Sequence, residues 1–184
     1  YIGVDKVALP GVAIVHDCEQ GLPFEDNYAD EIRSYDFIEH IHQDRVIHVM
    51  NEIWRVLKPG GKFVFKIPDA ERGQGWAQDP THHSKWVKNS FKYYENRYYH
   101  DMYGITAKFK IGTLESVRYE VEYWGENYAL IGHLIAEKKE AIIPKFTTIE
   151  ASIKSEENEW LPTMSPRPCQ IIPNRIFTTD DLCP

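Results

Sequence analysis

Short apolar runs, each followed by an acidic residue, recur along the N-terminal part of the chain. Segments 2–5, 12–17 and 30–36 each contain β-branched residues and end in aspartate, with turn-forming residues between the segments. Apolar runs of this length bounded by turns are typical of buried strands. The pattern predicts three strands, and the acids at their carboxyl ends are Asp5, Asp17 and Asp36.

The next segment has the period of an amphipathic helix. Its apolar stripe consists of Val46, Val49, Met50, Ile53 and Leu57. Asp44 gives this helix an acidic start, and the Lys58-Pro59-Gly60-Gly61 sequence predicts its end. A fourth strand is predicted over 62–68. Strands and a helix in this order predict an α/β fold with parallel strands.

The later part of the chain changes character twice. Residues 69–103 are rich in glycine, histidine and aromatic residues, which predicts a partly helical insertion over the sheet. Two longer strands, 108–123 and 128–137, are predicted to form an antiparallel hairpin. Beyond this point the periodicity ends and prolines recur. We therefore predict one domain over 1–138 and a loosely ordered polar tail over 139–184.

Composition narrows the class of protein. The 184 residues carry a formal net charge of −7, which disfavours a partner bound mainly through nucleic-acid phosphates. No apolar run approaches the roughly 20 residues that span a bilayer, so no membrane association is expected. The three cysteines, Cys18, Cys169 and Cys183, lack disulfide or zinc spacing and favour a cytoplasmic setting.

The positions of the acids suggest a nucleotide site. Open α/β sheets bind nucleotides beyond the carboxyl ends of their strands. There, Asp5 could accept hydrogen bonds from two ribose hydroxyls, and Asp17 could accept one from an adenine amino group. Acids at strand ends also serve turns and helix starts, so a purely structural role is the alternative for each residue alone.

Several motifs in this order resemble class I S-adenosylmethionine-dependent methyltransferases of the type 11 kind. The motifs are Gly3-Val4-Asp5, Leu22-Pro23-Phe24, Glu39-His40-Ile41, Arg55-Val56-Leu57-Lys58-Pro59-Gly60-Gly61 and Asp79-Pro80-Thr81-His82. Each motif alone is weak, and their combination is specific. The resemblance covers roughly residues 1–137 and is strongest to a group of small predicted methyltransferases.

The resemblance implies a fold, a cofactor and a set of site residues. The fold is a Rossmann-like sheet of order 3-2-1-4-5-7-6 with helices on both faces and a C-terminal antiparallel hairpin. The cofactor is S-adenosylmethionine. The implied cofactor-binding residues are Asp5, Lys6, Asp17, Cys18, Ser34, Tyr35, Asp36 and His40. His82 is the first candidate for a catalytic base and Asp36 the second.

One family feature has no counterpart in this sequence. The family's first strand and its Gly-x-Gly loop are missing. Gly73-Gln74-Gly75 does not replace that loop, because it follows the strand predicted over 62–68, which corresponds to the fifth strand of the family, and has no helix directly after it. The sheet is therefore expected to lack its central strand, which leaves unpaired backbone groups that cost about 1–3 kcal/mol each. An upstream segment, a second chain in an oligomer, or closure of the remaining strands could resolve this gap.

Other functions compete with methyl transfer to an O or N acceptor. A nicotinamide-dependent oxidoreductase would need the missing glycine fingerprint. No metal site is expected, because His40 and His42 would project about 200° apart on a helix and the adjacent His82 and His83 rarely share one ion. A non-catalytic methyltransferase-like binding module remains the alternative. A small molecule or a sugar is favoured over nucleic acid as the acceptor.

Overall fold

A seven-stranded mixed sheet forms the body of the computed structural model, which describes residues 1–121, 125–138 and 175–177. The strands are β1 (Ile2–Asp5), β2 (Val12–Val15), β3 (Ala29–Tyr35), β4 (Leu57–Pro68), β5 (Phe109–Val121), β6 (Gly125–Ala136) and β7 (Arg175–Phe177). Their order across the sheet is β2-β1-β7-β3-β4-β6-β5. The strands from β2 to β4 in this order are parallel, whereas β6 pairs antiparallel with β4 and with β5. The predicted α/β class and the antiparallel hairpin are confirmed.

The position predicted to be empty is occupied by a strand from the far end of the chain. In β7, Ile176 pairs with Ile2 of β1 on one side and with Ile32 of β3 on the other. The sheet therefore does not lack a central strand, and three residues of the segment predicted as a loose tail are part of it. The physical reason is that β1 and β3 would otherwise expose unpaired backbone groups inside the sheet. The rest of the predicted tail lies outside the described residues.

The predicted amphipathic helix is present as α1 (Val46–Val56), with Val49, Met50, Ile53 and Val56 buried. It begins just after the predicted acidic start and ends one residue before Leu57, which instead opens β4. Between Leu57 and Lys62 the register of β4 against β3 shifts, because the Lys58-Pro59-Gly60-Gly61 sequence bulges out of the ladder. A positive φ of 75° at Gly60 permits this turn.

Short helical turns make up the insertion between β4 and β5. They are α2 (Gly75–Gln78), α3 (Lys92–Glu95), α4 (His100–Tyr103) and the 3₁₀ turns Lys88–Phe91 and Arg97–Tyr99. Trp86, Phe91 and Tyr94 are buried, whereas Tyr98 is 70% exposed. Some aromatic residues of the insertion therefore belong to the core, and others lie at the surface. No helix within the described ranges combines the length and the apolar character needed to cross a bilayer.

An ionic network joins α1 to the loop before β3. Arg55 donates to both carboxylate oxygens of Glu52 at 2.7 Å, and to the carbonyl oxygens of Leu22 at 3.1 Å and Phe24 at 2.8 Å. Glu52 also accepts from the Leu22 N–H at 2.9 Å. Two separate sequence motifs, around Leu22 and around Arg55, are thus connected by this ionic network.

Replacing Arg55 with methionine is expected to destabilise the domain by about 2–4 kcal/mol. The variant loses the hydrogen bonds to the loop and leaves the Glu52 carboxylate, whose side chain is 17% exposed, without its cation. Urea unfolding followed by circular dichroism measures the change. The matched control is Arg118→Met, because Arg118 is 55% exposed and its ion pairs within the described ranges are with Glu120 and Glu126 at the surface. The free energy of unfolding of the control should stay within about 0.5 kcal/mol of the parent's. Equal losses in the two variants would show that the network around Arg55 does not stabilise the domain.

The same network makes stability depend on pH in the acid range. The hydrogen bond from Arg55 lowers the pKa of Glu52 below its usual 4.5, an effect that burial opposes. A carboxylate with a lowered pKa in the folded state contributes stability above its unfolded pKa, and this contribution is lost as the pH falls through the folded pKa. The parent should therefore lose stability below pH 4.5 more steeply than Arg55→Met does.

Candidate active site

A cavity of about 570 Å³ lies beyond the carboxyl ends of β1, β2 and β3. Six of the eight predicted cofactor residues line it, namely Asp5, Lys6, Asp17, Cys18, Asp36 and His40. Parallel strands bring their carboxyl ends to one edge of the sheet, which is why residues so far apart in sequence meet there.

Asp5 and Asp17 each hold their own turn with one carboxylate oxygen. Asp5 Oδ1 accepts from the Val7 N–H at 2.7 Å, and Asp17 Oδ1 accepts from the Glu19 N–H at 3.0 Å. Both acids therefore do stabilise turns, which is the structural role that the sequence offered as the alternative to ligand binding. Both residues also line the cavity, so the turns serve to orient the two carboxylates there.

Gly3 fixes the distance between the strands that carry the two acids. A Cβ atom at this position would lie 2.2 Å from the Gly11 carbonyl oxygen, which no side chain can occupy. The close approach of the loop before β2 to β1 therefore requires glycine in the Gly3-Val4-Asp5 motif.

Cys18 follows Asp17 at the start of a 3₁₀ turn (Cys18–Gln20) and is buried. Burial, together with the negative charges of Asp17 and Asp5, raises the pKa of the Cys18 thiol to about 12. The thiol is therefore neutral at physiological pH. It lines the cavity but is not an activated nucleophile.

Ser34 and Tyr35 do not line the cavity among its described residues. Ser34 is 2% exposed, and its Oγ has no hydrogen-bond partner within the described part of the chain. Successive residues of a strand point to opposite faces of the sheet, so the two residues before a strand end need not reach a cavity beyond it.

Asp36 lies where β3 ends and has a left-handed backbone, with φ of 47°. Its carboxylate pairs with Lys66 Nζ at 2.6 Å, and its N–H donates to the Lys66 carbonyl oxygen at 2.8 Å. Although burial opposes charge on Lys66, the Asp36 carboxylate raises the pKa of Lys66 above its ordinary value. Lys66 therefore remains charged, and this cation holds the Asp36 side chain in place.

A second cavity, of about 590 Å³, adjoins the first and shares Asp36 and His40 with it. Its further lining residues include Glu39, Lys66, His82 and Tyr119. Burial and the charge of Asp36 raise the pKa of the Tyr119 phenol, which is therefore neutral and able to donate a hydrogen bond. The wall of this cavity consists mainly of groups that bind polar ligands.

His82 lies in this second cavity at the end of the Asp79-Pro80-Thr81-His82 loop. Asp79 Oδ1 accepts from the Thr81 N–H at 2.7 Å and from the Thr81 hydroxyl at 2.6 Å, so the motif does close a loop. The His82 side chain is 7% exposed, and its Nδ1 lies 2.9 Å from the Trp76 carbonyl oxygen. The loop thus also fixes the orientation of the His82 ring.

A third cavity, of about 680 Å³, is lined by aromatic residues of the insertion, including Trp76, Trp86 and Tyr93. It shares only His83 with the first cavity among the described residues. The second cavity is therefore the better connected of the two to the carboxyl ends of the strands.

Sequence reasoning missed Lys66 and Tyr119, which line the second cavity. Lys66 lies in β4, and Tyr119 lies in the hairpin strand β5. The sequence around each residue is that of an ordinary strand. No local pattern marks them, because only the pairing of the strands brings them beside Asp36.

Comparison with known proteins bears on the same part of the chain. Residues 4–65, which include β1, β2, β3 and α1, match the family model described as the methyltransferase domain. This segment is similar to methyltransferase domains. No curated protein matches the sequence.

Solved structures share the fold of this chain. The YcgJ protein from Bacillus subtilis superposes with a TM-score of 0.55 at 13% sequence identity, over 75% of this chain and 82% of that one. A candidate methyltransferase from Bacillus halodurans C-125 superposes with a TM-score of 0.50 at 13% identity, over 71% of this chain and 74% of that one. At these identities the likeness concerns the fold alone.

Proposed function

We propose that the chain is a methyltransferase domain that binds S-adenosylmethionine in the 570 Å³ cavity and transfers its methyl group to an O or N acceptor in the 590 Å³ cavity. The observation that carries the proposal is the convergence of Asp5, Asp17, Asp36 and His40 on one cavity at the carboxyl edge of the sheet. The match of residues 4–65 to the methyltransferase domain supports it, because this segment carries all four residues.

Different residues of the 570 Å³ cavity would bind different parts of the cofactor. Asp5 would accept hydrogen bonds from the ribose hydroxyls, and Asp17 would accept one from the adenine amino group. Lys6 and the neutral wall at Cys18 complete this side of the cavity. S-adenosylmethionine supplies a methyl group on a positively charged sulfur, and the acidic lining suits that charge.

Transfer would be an in-line displacement between the two cavities. The bond from the sulfonium sulfur to the methyl carbon breaks as the acceptor O or N forms its bond to that carbon, and the acceptor proton leaves. Positioning and exclusion of water supply most of the rate in such a step. Of the two predicted catalytic residues, His82 is the better placed to act on the acceptor, because Asp36 is already paired with Lys66.

The polar wall of the second cavity favours a polar acceptor. Lys66, Tyr119 and His82 can each hydrogen-bond to hydroxyl or carbonyl groups. The net charge of −7 provides no general attraction for a phosphate backbone, so we propose a small molecule or a sugar and not a nucleic acid.

Calorimetric titration with S-adenosylhomocysteine tests cofactor binding directly. We expect one site per chain, with Asp5→Ala and Asp17→Ala each weakening binding by about 10- to 100-fold, because a hydrogen bond to a charged group contributes about 1.5–3 kcal/mol. Asp30→Ala is the matched control, since Asp30 is an exposed strand-end acid paired with Lys58 away from the cavity. It should bind like the parent.

Two results would contradict the proposal. Absence of binding to the folded parent would instead favour a methyltransferase-like module that does not turn over. Equal affinity in the Asp5 and Asp30 variants would place the cofactor elsewhere.

A further inference from the structure

Glu39, His40 and His82 come together from two segments of the chain. One potential ligand atom of each residue lies within 4.8 Å of those of the other two. Glu39 and His40 belong to the 3₁₀ turn Ile38–His40 after β3, and His82 belongs to the loop after β4. Two imidazoles and one carboxylate form a donor set that binds divalent cations such as Mn²⁺, Fe²⁺ or Zn²⁺ and leaves coordination positions open.

Backbone hydrogen bonds hold the two segments in register. The His83 and Ser84 N–H groups donate to the Glu39 carbonyl oxygen at 2.8 and 2.9 Å, and the Ser84 hydroxyl donates to the Ile38 carbonyl oxygen at 2.9 Å. The turn that carries Glu39 and His40 is therefore fixed directly to the loop that carries His82. A cation bound here would meet its ligands already in place.

The hydrogen bonds behind the two rings fix which nitrogen can bind a cation. His82 Nδ1 lies 2.9 Å from the Trp76 carbonyl oxygen, which can only accept, so Nδ1 carries the proton. His40 Nδ1 lies 3.3 Å from the Thr81 carbonyl oxygen and 3.1 Å from the Thr81 hydroxyl, whose own proton is donated to Asp79. A neutral imidazole with its proton on Nδ1 has the lone pair of Nε2 available for a cation, and such hydrogen bonds at Nδ1 are the arrangement found behind metal-binding histidines.

Charges around the cluster permit a cation. Asp79 Oδ2 lies 3.8 Å from His82 Nε2 and adds negative charge. Lys66, a lysine on the wall of the same cavity, is matched by Asp36 at 2.6 Å. The Glu39 side chain is among the largest that are fully buried, so its carboxylate lies in surroundings where charge interactions are strong.

We propose that Glu39, His40 and His82 form a divalent-cation site on the wall of the second cavity, with its open positions facing the acceptor. The proposal rests on the proposed function only for the identity of that cavity as the acceptor side. An acceptor hydroxyl bound to the cation would lose its proton to water more readily, as metal-bound water does. His82 would then act as a cation ligand and not as the base, and the acceptor class would be molecules that coordinate through oxygen.

Titration with Mn²⁺ tests the site without the need for an acceptor. The purified chain is stripped with a chelator, and Mn²⁺ binding is followed by electron paramagnetic resonance, with Zn²⁺ as competitor. We expect one ion per chain, and a loss of affinity of about 100-fold or more in His82→Ala and His40→Ala, because even the partners behind metal ligands are worth about 10- to 100-fold. Both variants should keep the far-ultraviolet circular dichroism of the parent.

The matched control is His83→Ala. His83 is adjacent to His82, is exposed, and stacks on His42 at 4.1 Å outside the ligand set. It should bind Mn²⁺ like the parent. Absence of binding to the parent, or equal loss in the His82 and His83 variants, would overturn the site.

Cofactor titration of the metal-free chain separates this proposal from the preceding one. S-adenosylhomocysteine binding without Mn²⁺ binding would overturn only the cation site. Mn²⁺ binding without S-adenosylhomocysteine binding would support the cation site and contradict the proposed methyl transfer.

Discussion

Replacing Ile176 with proline is expected to destabilise the domain by about 3 kcal/mol or more, a large part of the 5–15 kcal/mol typical of a domain. Ile176 lies in β7 and pairs with Ile2 on one side and Ile32 on the other. Proline has no backbone N–H and is excluded from the interior of a sheet, so the substitution removes a ladder hydrogen bond at its centre. Urea unfolding followed by circular dichroism measures the loss.

Ile176→Val is the control for this prediction, because valine keeps the backbone N–H and the preference for a strand. It should unfold within about 1 kcal/mol of the parent. Unchanged stability of the proline variant would show that another segment holds the position between β1 and β3. S-adenosylhomocysteine affinity provides a second measurement, since Asp5 and Asp36 are carried by the strands that flank β7.

Replacing Phe91 with alanine is expected to destabilise the domain by about 3–5 kcal/mol. Phe91 is fully buried, stacks on Phe65 of β4 with ring centroids 4.5 Å apart, and stacks on Trp86 at 5.2 Å. The substitution leaves a cavity where the insertion packs on the sheet, and the lost ring contacts cannot be replaced by relaxation alone. Thermal and urea unfolding should both show the change.

Tyr98→Ala tests whether this effect belongs to the packed ring and not to aromatic residues of the insertion in general. Tyr98 is 70% exposed, and its ring contacts Tyr99 at the surface. The control should change stability by no more than about 0.5 kcal/mol. Comparable losses in both variants would contradict the division of the insertion into core and surface aromatics.

The strands and the long helix could be predicted because their signals are local. The apolar stripe of α1 and the runs that end at Asp5 and Asp17 are properties of short windows, and the structure has these elements within a few residues of the predicted positions. The strand β7 could not be predicted in this way. Its three residues have no distinguishing local pattern, and their pairing depends on vacant backbone groups of β1 and β3, which lie far away in the sequence.

The site shows the same division. Acids at strand ends follow from the topology of parallel strands, so their convergence could be predicted from the strand pattern alone. The cluster of Glu39, His40 and His82 could not, because spacing along the chain relates residues within one segment and the cluster joins two segments. Hydrogen bonds between the two segments, including those from His83 and Ser84 to Glu39, bring them into one place.

Closure of the sheet by β7 has a consequence for the order of folding. Ile2 and Ile176 are paired neighbours, and contacts between residues this far apart in sequence are slow to form because the intervening chain must first be brought together. The hairpin of β5 and β6 can form early from adjacent residues, whereas β1 and β2 can join β3 and β4 only after residue 176 has been synthesised. During translation the two halves of the sheet would therefore remain separate until residues 175–177 emerge from the ribosome.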